Sequence, residues 1–225
     1  MAPGNQFCFK ALRFSSQPDM AKEGIPYIVL FLTPAAAFIV LGWWVAATVC
    51  LLLTAFMTFF FRDPRRDCPT DEMLVVSPAD GRVVVVAPLD PSVKDSAVRI
   101  SIFLSPLDVH INRSPIAGKI VDVVYKPGAF HVASREIASV ENEQNVVTVQ
   151  GRHVTIVFRQ IAGLLARRVV FWRKNGDRVA IGERVGLMKF SSRMDVLVPV
   201  EVEVLTHKGD RVVGGVSVIG RVRNG

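Results

Sequence analysis

Cysteine and histidine are both scarce in this sequence of 225 residues. The three cysteines, Cys8, Cys50 and Cys68, are odd in number and lack metal-ligand spacing, so neither a disulfide framework nor a zinc site is indicated. The four histidines include no His-x-His pair. This argues against a zinc peptidase of the kind that contains β-rich domains, because such an enzyme needs closely spaced histidines. This composition fits a reduced cytosolic environment, and no metal is expected.

Charge is absent from residues 25–61, where no Asp, Glu, Lys, Arg or His occurs. One straight helix over this run would be about 55 Å long, whereas the hydrocarbon core of a bilayer is about 30 Å thick. Two helices account for the run better, with a turn and interfacial aromatic residues near Gly42, Trp43 and Trp44. We therefore expect a membrane helical hairpin at residues 25–61, either spanning the bilayer or lying in its plane.

Both flanks of this run are basic, because Lys10, Arg13 and Lys22 precede it and Arg62, Arg65 and Arg66 follow it. The positive-inside tendency then places both ends in the cytoplasm. A cleaved signal peptide is the alternative, but the apolar run is too long, begins too late and lacks a small-residue cleavage site. The expected organisation is a basic segment at 1–24, the hairpin, and a domain at 62–225 on the cytoplasmic side of the cell membrane.

The net charge of +7, from 27 basic and 20 acidic residues, suits either nucleic acid or an anionic lipid surface. The basic residues are scattered, and the apolar run already explains a cationic surface beside a membrane. We expect an anionic membrane as partner and no nucleic acid.

Short runs rich in Val and Ile, separated by Gly, Pro, Asp and Asn, follow the apolar run and predict a mainly β domain. Tight hairpin turns are expected at 150–152 and 174–177, where Gly or Asn can adopt positive φ. One short helix is expected at 134–142. The candidate strands are 82–87, 98–104, 119–125, 146–150, 153–158, 167–172, 196–205 and 216–222.

Residues 77–84 and 114–121 resemble each other, since both place Pro and Gly before a Val/Ile strand. The same pattern occurs in biotinyl and lipoyl carrier domains, and it predicts a β-sandwich or barrel-like domain with lipoyl-like elements. A membrane-tethered carrier or adaptor without catalysis is therefore an alternative, with Lys189 as the modified residue. Asp80, His110 and Ser192 would have no role in such a carrier.

Four stretches taken together point to a family. They read Phe-Phe-Arg-Asp-Pro-Arg-Arg at 60–66, Ser-Pro-Ala-Asp-Gly at 77–81, Ser-Pro-Leu-Asp-Val-His-Ile-Asn-Arg-Ser-Pro at 105–115, and Gly-Leu-Met-Lys-Phe-Ser-Ser-Arg-Met-Asp at 186–195. In this order and spacing they resemble the short phosphatidylserine decarboxylases of bacteria and archaea, from the apolar run to the C-terminus.

This resemblance implies an enzyme that cleaves its own backbone and carries no dissociable cofactor. The serine hydroxyl attacks the preceding carbonyl, an ester forms, and β-elimination leaves a covalent pyruvoyl group (a bound pyruvate). Here the bond between Ser191 and Ser192 would break, giving a β chain of 1–191 and an α chain of 192–225. The two chains would remain together as a heterodimer or assemble further.

The resemblance also implies roles for individual residues. His110 would take the proton of Ser192, and Asp80 would hold the His110 ring, since a serine needs an oriented base to act as a nucleophile. The pyruvoyl ketone formed from Ser192 would react with the amine of phosphatidylserine and draw electrons from the bond to the carboxylate. The products would be phosphatidylethanolamine and carbon dioxide.

The sequence departs from the family pattern at several positions. The family usually has Gly before the processed serine, where this chain has Ser191, so an unprocessed and inactive proenzyme is a second alternative. Gln144 stands where related sequences tend to carry Arg, and Arg113 stands where longer members have a second histidine. A processing event of the intein or ester-bond type, without decarboxylation, is a further alternative.

Overall fold

The computed structural model of the chain describes residues 20–90, 92–93, 96–132, 137–163, 169–190 and 192–223. Two apolar helices come first, α1 at Ile25–Val40 and α2 at Trp44–Phe60, and a short helix α3 lies at Ala138–Glu141. The strands in chain order are β1 Leu74–Val76, β2 Gly81–Pro88, β3 Val98–Leu104, β4 Ile111–Arg113, β5 Gly118–Lys126, β6 Gln144–Gln150, β7 Thr155–Ile161, β8 Val169–Phe171, β9 Arg178–Val179, β10 Arg184–Met188, β11 Ser192–Val198, β12 Val202–Val204, β13 Arg211–Val212 and β14 Val218–Val222.

Helices α1 and α2 pack against each other and are joined by a turn in which Gly42 has a φ of +74°. Hydroxyl groups within the pair are satisfied locally, as Thr48 and Thr54 donate to the carbonyls four residues earlier. By length and composition the helical stretch Lys22–Val40 is able to cross a membrane, whereas Trp44–Phe60 is a shorter apolar helix. Large apolar side chains on both helices are exposed, which is typical of helices that contact lipid.

The rest of the described chain is mainly β. Eight strands form one curled antiparallel sheet in the order β13-β2-β3-β11-β7-β6-β5-β9. Two three-stranded sheets, β1-β14-β12 and β4-β10-β8, complete the domain. The main core lies between these sheets and is built from Val, Ile, Leu, Met and Phe side chains of nearly every strand.

The two halves of the eight-stranded sheet repeat one arrangement in reverse order. The half β13-β2-β3-β11 corresponds to the half β9-β5-β6-β7, and the two meet where β11 pairs with β7. The small sheets correspond as well, since β1, β14 and β12 match β4, β10 and β8. Strand β11 therefore lies at the centre of the large sheet, next to the seam between the halves.

The similar segments 77–84 and 114–121 occupy equivalent places in this repeat. The Ser77 hydroxyl donates to the Ala79 carbonyl at 2.6 Å, and the Ser114 hydroxyl donates to the Ile116 carbonyl at 2.7 Å. The two turns are also joined reciprocally, because Val76 N donates to Pro115 O and Arg113 N donates to Pro78 O. This cross-connection fixes the turn that carries Asp80 against the strand that follows His110.

The predicted fold class is confirmed: the domain is mainly β and is preceded by apolar helices. Strand β3 has the predicted bounds, whereas the predicted strand 196–205 was wrong in extent, because a turn at Pro199–Val202 separates β11 from β12. The turn at 174–177 forms, but it does not make a hairpin, since β8 pairs with β10 and β9 with β5. The predicted helix 134–142 is α3 in its described part; residues 133–136 lie outside the described chain.

Candidate active site

His110 lies just before β4 and is fully buried. Its ring atom Nδ1 is 2.9 Å from the carbonyl oxygen of Asp108. Because a carbonyl can only accept, Nδ1 carries the hydrogen of this bond and Nε2 is left with its lone pair. Nε2 is buried without a hydrogen-bond partner among the described residues.

Burial lowers the pKa of His110 to about 4, because the charged imidazolium would lose its hydration. The hydrogen bond to Asp108 and the charge of that residue oppose this shift, while Arg62 adds to it. The ring is therefore neutral at pH 7. A neutral histidine with a free Nε2 can accept a proton, as a general base must.

Ser192 is the first residue of β11, where its Cα pairs with that of Leu104 in β3. Its side chain is fully buried, and Oγ has no hydrogen-bond partner in the described part of the chain. Most buried polar groups in folded proteins are paired, so two unpaired atoms at two predicted site residues are informative. Ser191, the other residue of the predicted cleavage site, lies outside the described residues.

Aromatic rings lie beside His110 and just before the predicted cleavage site. The ring of Phe60, at the end of α2, is centred 4.2 Å from the His110 ring and 4.6 Å from the ring of Phe190. Phe190 precedes the predicted cleavage site and has a φ of +60°, the only positive φ of a residue other than glycine in the described ranges. Sequence reasoning missed both phenylalanines, although each lies inside a motif that carries the family resemblance.

Asp80 lies in the turn before β2, with its side chain 16% exposed. Its Oδ2 accepts from Arg66 Nη2 at 2.8 Å, and its Oδ1 accepts from the Gly214 amide at 2.7 Å. Burial raises the pKa of Asp80, whereas the bond from Gly214 and the charge of Arg66 oppose that shift. No hydrogen bond joins Asp80 to His110 among the described residues.

Asp108, rather than Asp80, holds the loop that carries His110. Its Oδ2 accepts from the Ser105 amide at 2.8 Å, and its Oδ1 accepts from Arg211 Nη1 at 2.8 Å. Its charge also raises the pKa of Asp80. Asp80 and His110 thus share Asp108 as an electrostatic neighbour, and the role of Asp80 as the orienting carboxylate stays a prediction.

A buried ion cluster joins the segment after α2 to the small sheet. Asp63 Oδ2 is 2.8 Å from Arg184 Nε in β10, and Asp63 Oδ1 is 3.4 Å from Arg113 Nη2 in β4. Arg113 also donates to the carbonyls of Gly182 and Pro64. Burial raises the pKa of Asp63, and the charges of Arg184 and Arg113 oppose the shift. Arg113 therefore anchors the segment that follows the helices.

A second buried ion pair follows Ser192 directly. Arg193 Nε is 2.8 Å from Asp195 Oδ1, and both side chains have no exposed surface. Ser101 accepts from Arg193 Nη2 at 2.7 Å, and Ser139 donates to Asp195 Oδ2 at 2.8 Å. Successive side chains of a strand point to opposite faces, so this network fixes β11 from the face opposite Ser192.

The described residues contain no group of three or more His, Cys, Asp or Glu side chains that could hold a metal ion. Lys189, the candidate modified residue of a carrier, is half-buried, with its Nζ 5.3 Å from the centre of the Tyr27 ring in α1. A carrier lysine has to be presented at an exposed hairpin tip, and this position does not fit that use.

Fold and site together describe a β-rich domain preceded by two apolar helices, with a buried neutral histidine against the end of the second helix and a buried serine at the start of a central strand. A sequence model of the phosphatidylserine decarboxylase family matches residues 53–220. The phosphatidylserine decarboxylase proenzyme of Solibacter usitatus is 50% identical over 199 residues, covering 87% of this chain and 93% of that protein. Proteins of the same name from Carboxydothermus hydrogenoformans and Geotalea daltonii are 42% and 40% identical, covering 91% and 89% of this chain and 97% and 95% of their own lengths. This chain belongs to the phosphatidylserine decarboxylase family, a family of enzymes.

Proposed function

We propose that this chain is a membrane-anchored proenzyme that cleaves itself before Ser192 and then decarboxylates phosphatidylserine to phosphatidylethanolamine and carbon dioxide. The observation that carries this proposal is the pair of buried, unpaired atoms, Nε2 of His110 and Oγ of Ser192, at motif positions of the family. Unpaired buried polar atoms are costly for stability, and they occur at other described residues such as Asn112 and Gln144. His110 and Ser192 differ from those residues because they supply a base and a nucleophile at motif positions of the family.

In the proposed cleavage, Nε2 of His110 takes the hydroxyl proton of Ser192. Oγ then attacks the carbonyl carbon of Ser191, the peptide C–N bond breaks as its nitrogen gains a proton, and an ester forms. Loss of the Ser192 Cα proton expels the Ser191 carboxylate. Water then replaces the nitrogen of residue 192, which leaves as ammonia, and a pyruvoyl group remains at the start of the α chain.

The surroundings of Ser192 fit such a group. The position is buried next to Leu104, and the strand that begins there is hydrogen-bonded on both sides by β3 and β7. A pyruvoyl ketone supplies the electron sink that decarboxylation requires. In the proposed reaction His110 moves the proton, and the buried pair of Arg193 and Asp195 keeps the strand fixed.

The helical hairpin suits a lipid substrate. We propose that residues 25–61 anchor the chain in the cell membrane and that the β-rich domain 62–225 lies on the cytoplasmic side. The basic residues Lys22 and Arg62 at the two ends of the hairpin support this orientation, as does attraction to an anionic surface.

One experiment tests the proposal and its alternatives. The intact mass of the full-length protein is measured with and without hydroxylamine, which traps ketones, alongside conversion of phosphatidylserine in vesicles. We expect two chains that meet at Ser191 and Ser192, a ketone adduct on the smaller one, and release of carbon dioxide. Ser192→Ala should remain one inactive chain, and Ser92→Ala, in an exposed loop, should split like the unaltered protein.

Other outcomes separate the alternatives. A single unsplit chain without decarboxylation would support the unprocessed proenzyme. A split chain without carbon dioxide release would support processing without decarboxylation. A mass increase on Lys189 would support the carrier domain.

A further inference from the structure

Phe60 lies where the apolar helices meet the candidate active site. It is the last residue of α2, and its side chain is fully buried. Its ring is tilted by 32° to the His110 ring and by 28° to the ring of Phe190, so it contacts both at stacking distance. Three segments that are far apart in sequence therefore meet on one side chain.

Phe190 adopts a backbone conformation that needs outside support. A φ of +60° is the left-handed region, in which the Cβ of an ordinary residue crowds its own backbone. Such a conformation persists only when the surrounding structure holds it. The Phe190 side chain packs in the cluster formed by Phe60, Phe61 and Ile111, and this packing is the support.

The direction of the chain after Phe190 depends on that conformation. A left-handed residue turns the backbone sharply, and Phe190 is two residues before Ser192. Release of Phe190 to an ordinary conformation would redirect the peptide bond before Ser192 relative to β11. A displacement of about 1 Å at a reacting group is enough to slow a reaction by about 10²-fold.

We propose that Phe60 is a positioning residue for self-cleavage, whose ring holds both the His110 imidazole and the left-handed conformation of Phe190. The inference rests on the proposed function and adds a requirement to it. The proenzyme is competent to split only while the end of α2 is docked on the domain, so placement of the helices controls maturation.

The electrostatics of His110 agree with this role. The ring of Phe60 covers the imidazole, and burial is the main reason that the pKa of His110 falls to about 4. Asp108 and Arg62 are the charged groups that act on the ring, and they oppose and assist that shift respectively. Removal of Phe60 should therefore expose the imidazole to water and raise its pKa.

The first test follows chain splitting over time in full-length protein synthesised in the presence of lipid vesicles. Phe60→Ala should slow splitting by about 10- to 100-fold, and Phe60→Leu, which restores apolar volume without the ring, should lie between. The matched control is Leu52→Ala, because Leu52 lies in the same helix and its side chain is 66% exposed. Splitting of Phe60→Ala at the unaltered rate would overturn the inference.

The second test is independent of cleavage and uses the unsplit Ser192→Ala chain. NMR titration of the His110 ring should show its pKa moving from about 4 toward 6.5 in the Phe60→Ala background, and no change with Leu52→Ala. An unchanged pKa would show that Phe60 does not shield the His110 ring from water and would overturn the proposed role of Phe60. If the unaltered protein never splits, the proposed function fails, while this titration still decides whether Phe60 positions His110.

Discussion

Arg66 and Asp80 form a direct ion pair, with Nη2 of Arg66 2.8 Å from Oδ2 of Asp80. The arginine belongs to the segment that follows α2, and the aspartate belongs to the first of the two equivalent turns. In this arrangement the carboxylate contacts a cation and a backbone amide instead of the histidine that it is predicted to orient.

Substitutions at this ion pair distinguish two roles of Asp80. We expect Asp80→Asn to slow self-cleavage roughly 10²-fold, the lower range for loss of acid-base assistance. Asp90→Asn, in an exposed loop, is the control. If Asp80 acts on His110, the Arg66→Gln variant should split at least as fast as the unaltered chain. If Arg66→Gln slows splitting as much as Asp80→Asn does, Asp80 acts through Arg66. Time courses of the split fraction provide the measurement.

The buried histidine predicts a specific acid sensitivity. Its folded pKa of about 4 lies below the ordinary histidine value of 6.5, so folding disfavours the protonated ring. The contribution is complete above pH 6.5 and is lost as the pH falls from 6.5 through 4, by up to about 3 kcal/mol. Urea unfolding of the unsplit Ser192→Ala chain in detergent should show this loss, and adding His110→Gln should remove it. Equal pH dependence of the two chains would contradict the assignment.

The two chains should remain associated after cleavage. Residues 192–223 contribute β11 to the centre of the large sheet, β13 to its edge, and β12 and β14 to a small sheet. A fragment that supplies central strands cannot leave without unfolding the domain. We expect both chains to co-elute on gel filtration in mild detergent and to separate only in denaturant. Separation under native conditions would contradict this arrangement of strands.

Replacement of the residue before the processed serine should change the rate of maturation. Ser191→Gly restores the residue that the family usually has, and glycine adopts strained conformations at lower cost. We expect faster splitting than in the unaltered chain, measured by intact mass at successive times. A slower rate would indicate that the side chain of Ser191 assists the reaction.

The buried ion pair of Arg193 and Asp195 in β11 should contribute far more to the free energy of unfolding than a surface ion pair does. Asp195→Ala leaves the charge of Arg193 in a fully buried site and should cost about 3–5 kcal/mol of unfolding free energy. Arg221 pairs with Asp71 at 3.9 Å on the surface, and Arg221→Ala should cost less than about 1 kcal/mol. Urea unfolding of both variants measures the loss in unfolding free energy. Equal losses would show that burial does not strengthen the Arg193–Asp195 pair.

Local patterns predicted most of the large sheet, because its strands are long and rich in Val and Ile. The short strands were missed, since β4, β9 and β13 have two or three residues and are held by partners distant in sequence. Sequence reasoning recognised only the similarity of 77–84 and 114–121 and missed a second one. Gly-Asp-Arg-Val occurs at 176–179 and again at 209–212, at equivalent places in the two halves. Its significance depends on pairing with β5 and β2, which sequence spacing does not specify.

The motifs identified the region of the site, but they did not specify its contacts. Asp80 and His110 were selected by family resemblance, and the structure gives each a different partner, Arg66 and the Asp108 carbonyl. Phe60 was hidden in the sequence because it ends an apolar helix in which every neighbour is also apolar. Only the packing of three distant segments distinguishes its ring from those of Phe59 and Phe61.

The ion pairs that Asp63 forms with Arg113 and Arg184 affect how substrate reaches the site. Only two residues separate Asp63 from the end of α2, so these ion pairs hold the connection between the hairpin and the domain in place. If the hairpin lies in a bilayer as proposed, this connection keeps the domain close to the membrane surface. Substrate would then be captured by lateral diffusion within a two-dimensional sheet of lipid, and the rate would follow its surface density in the membrane rather than its bulk concentration.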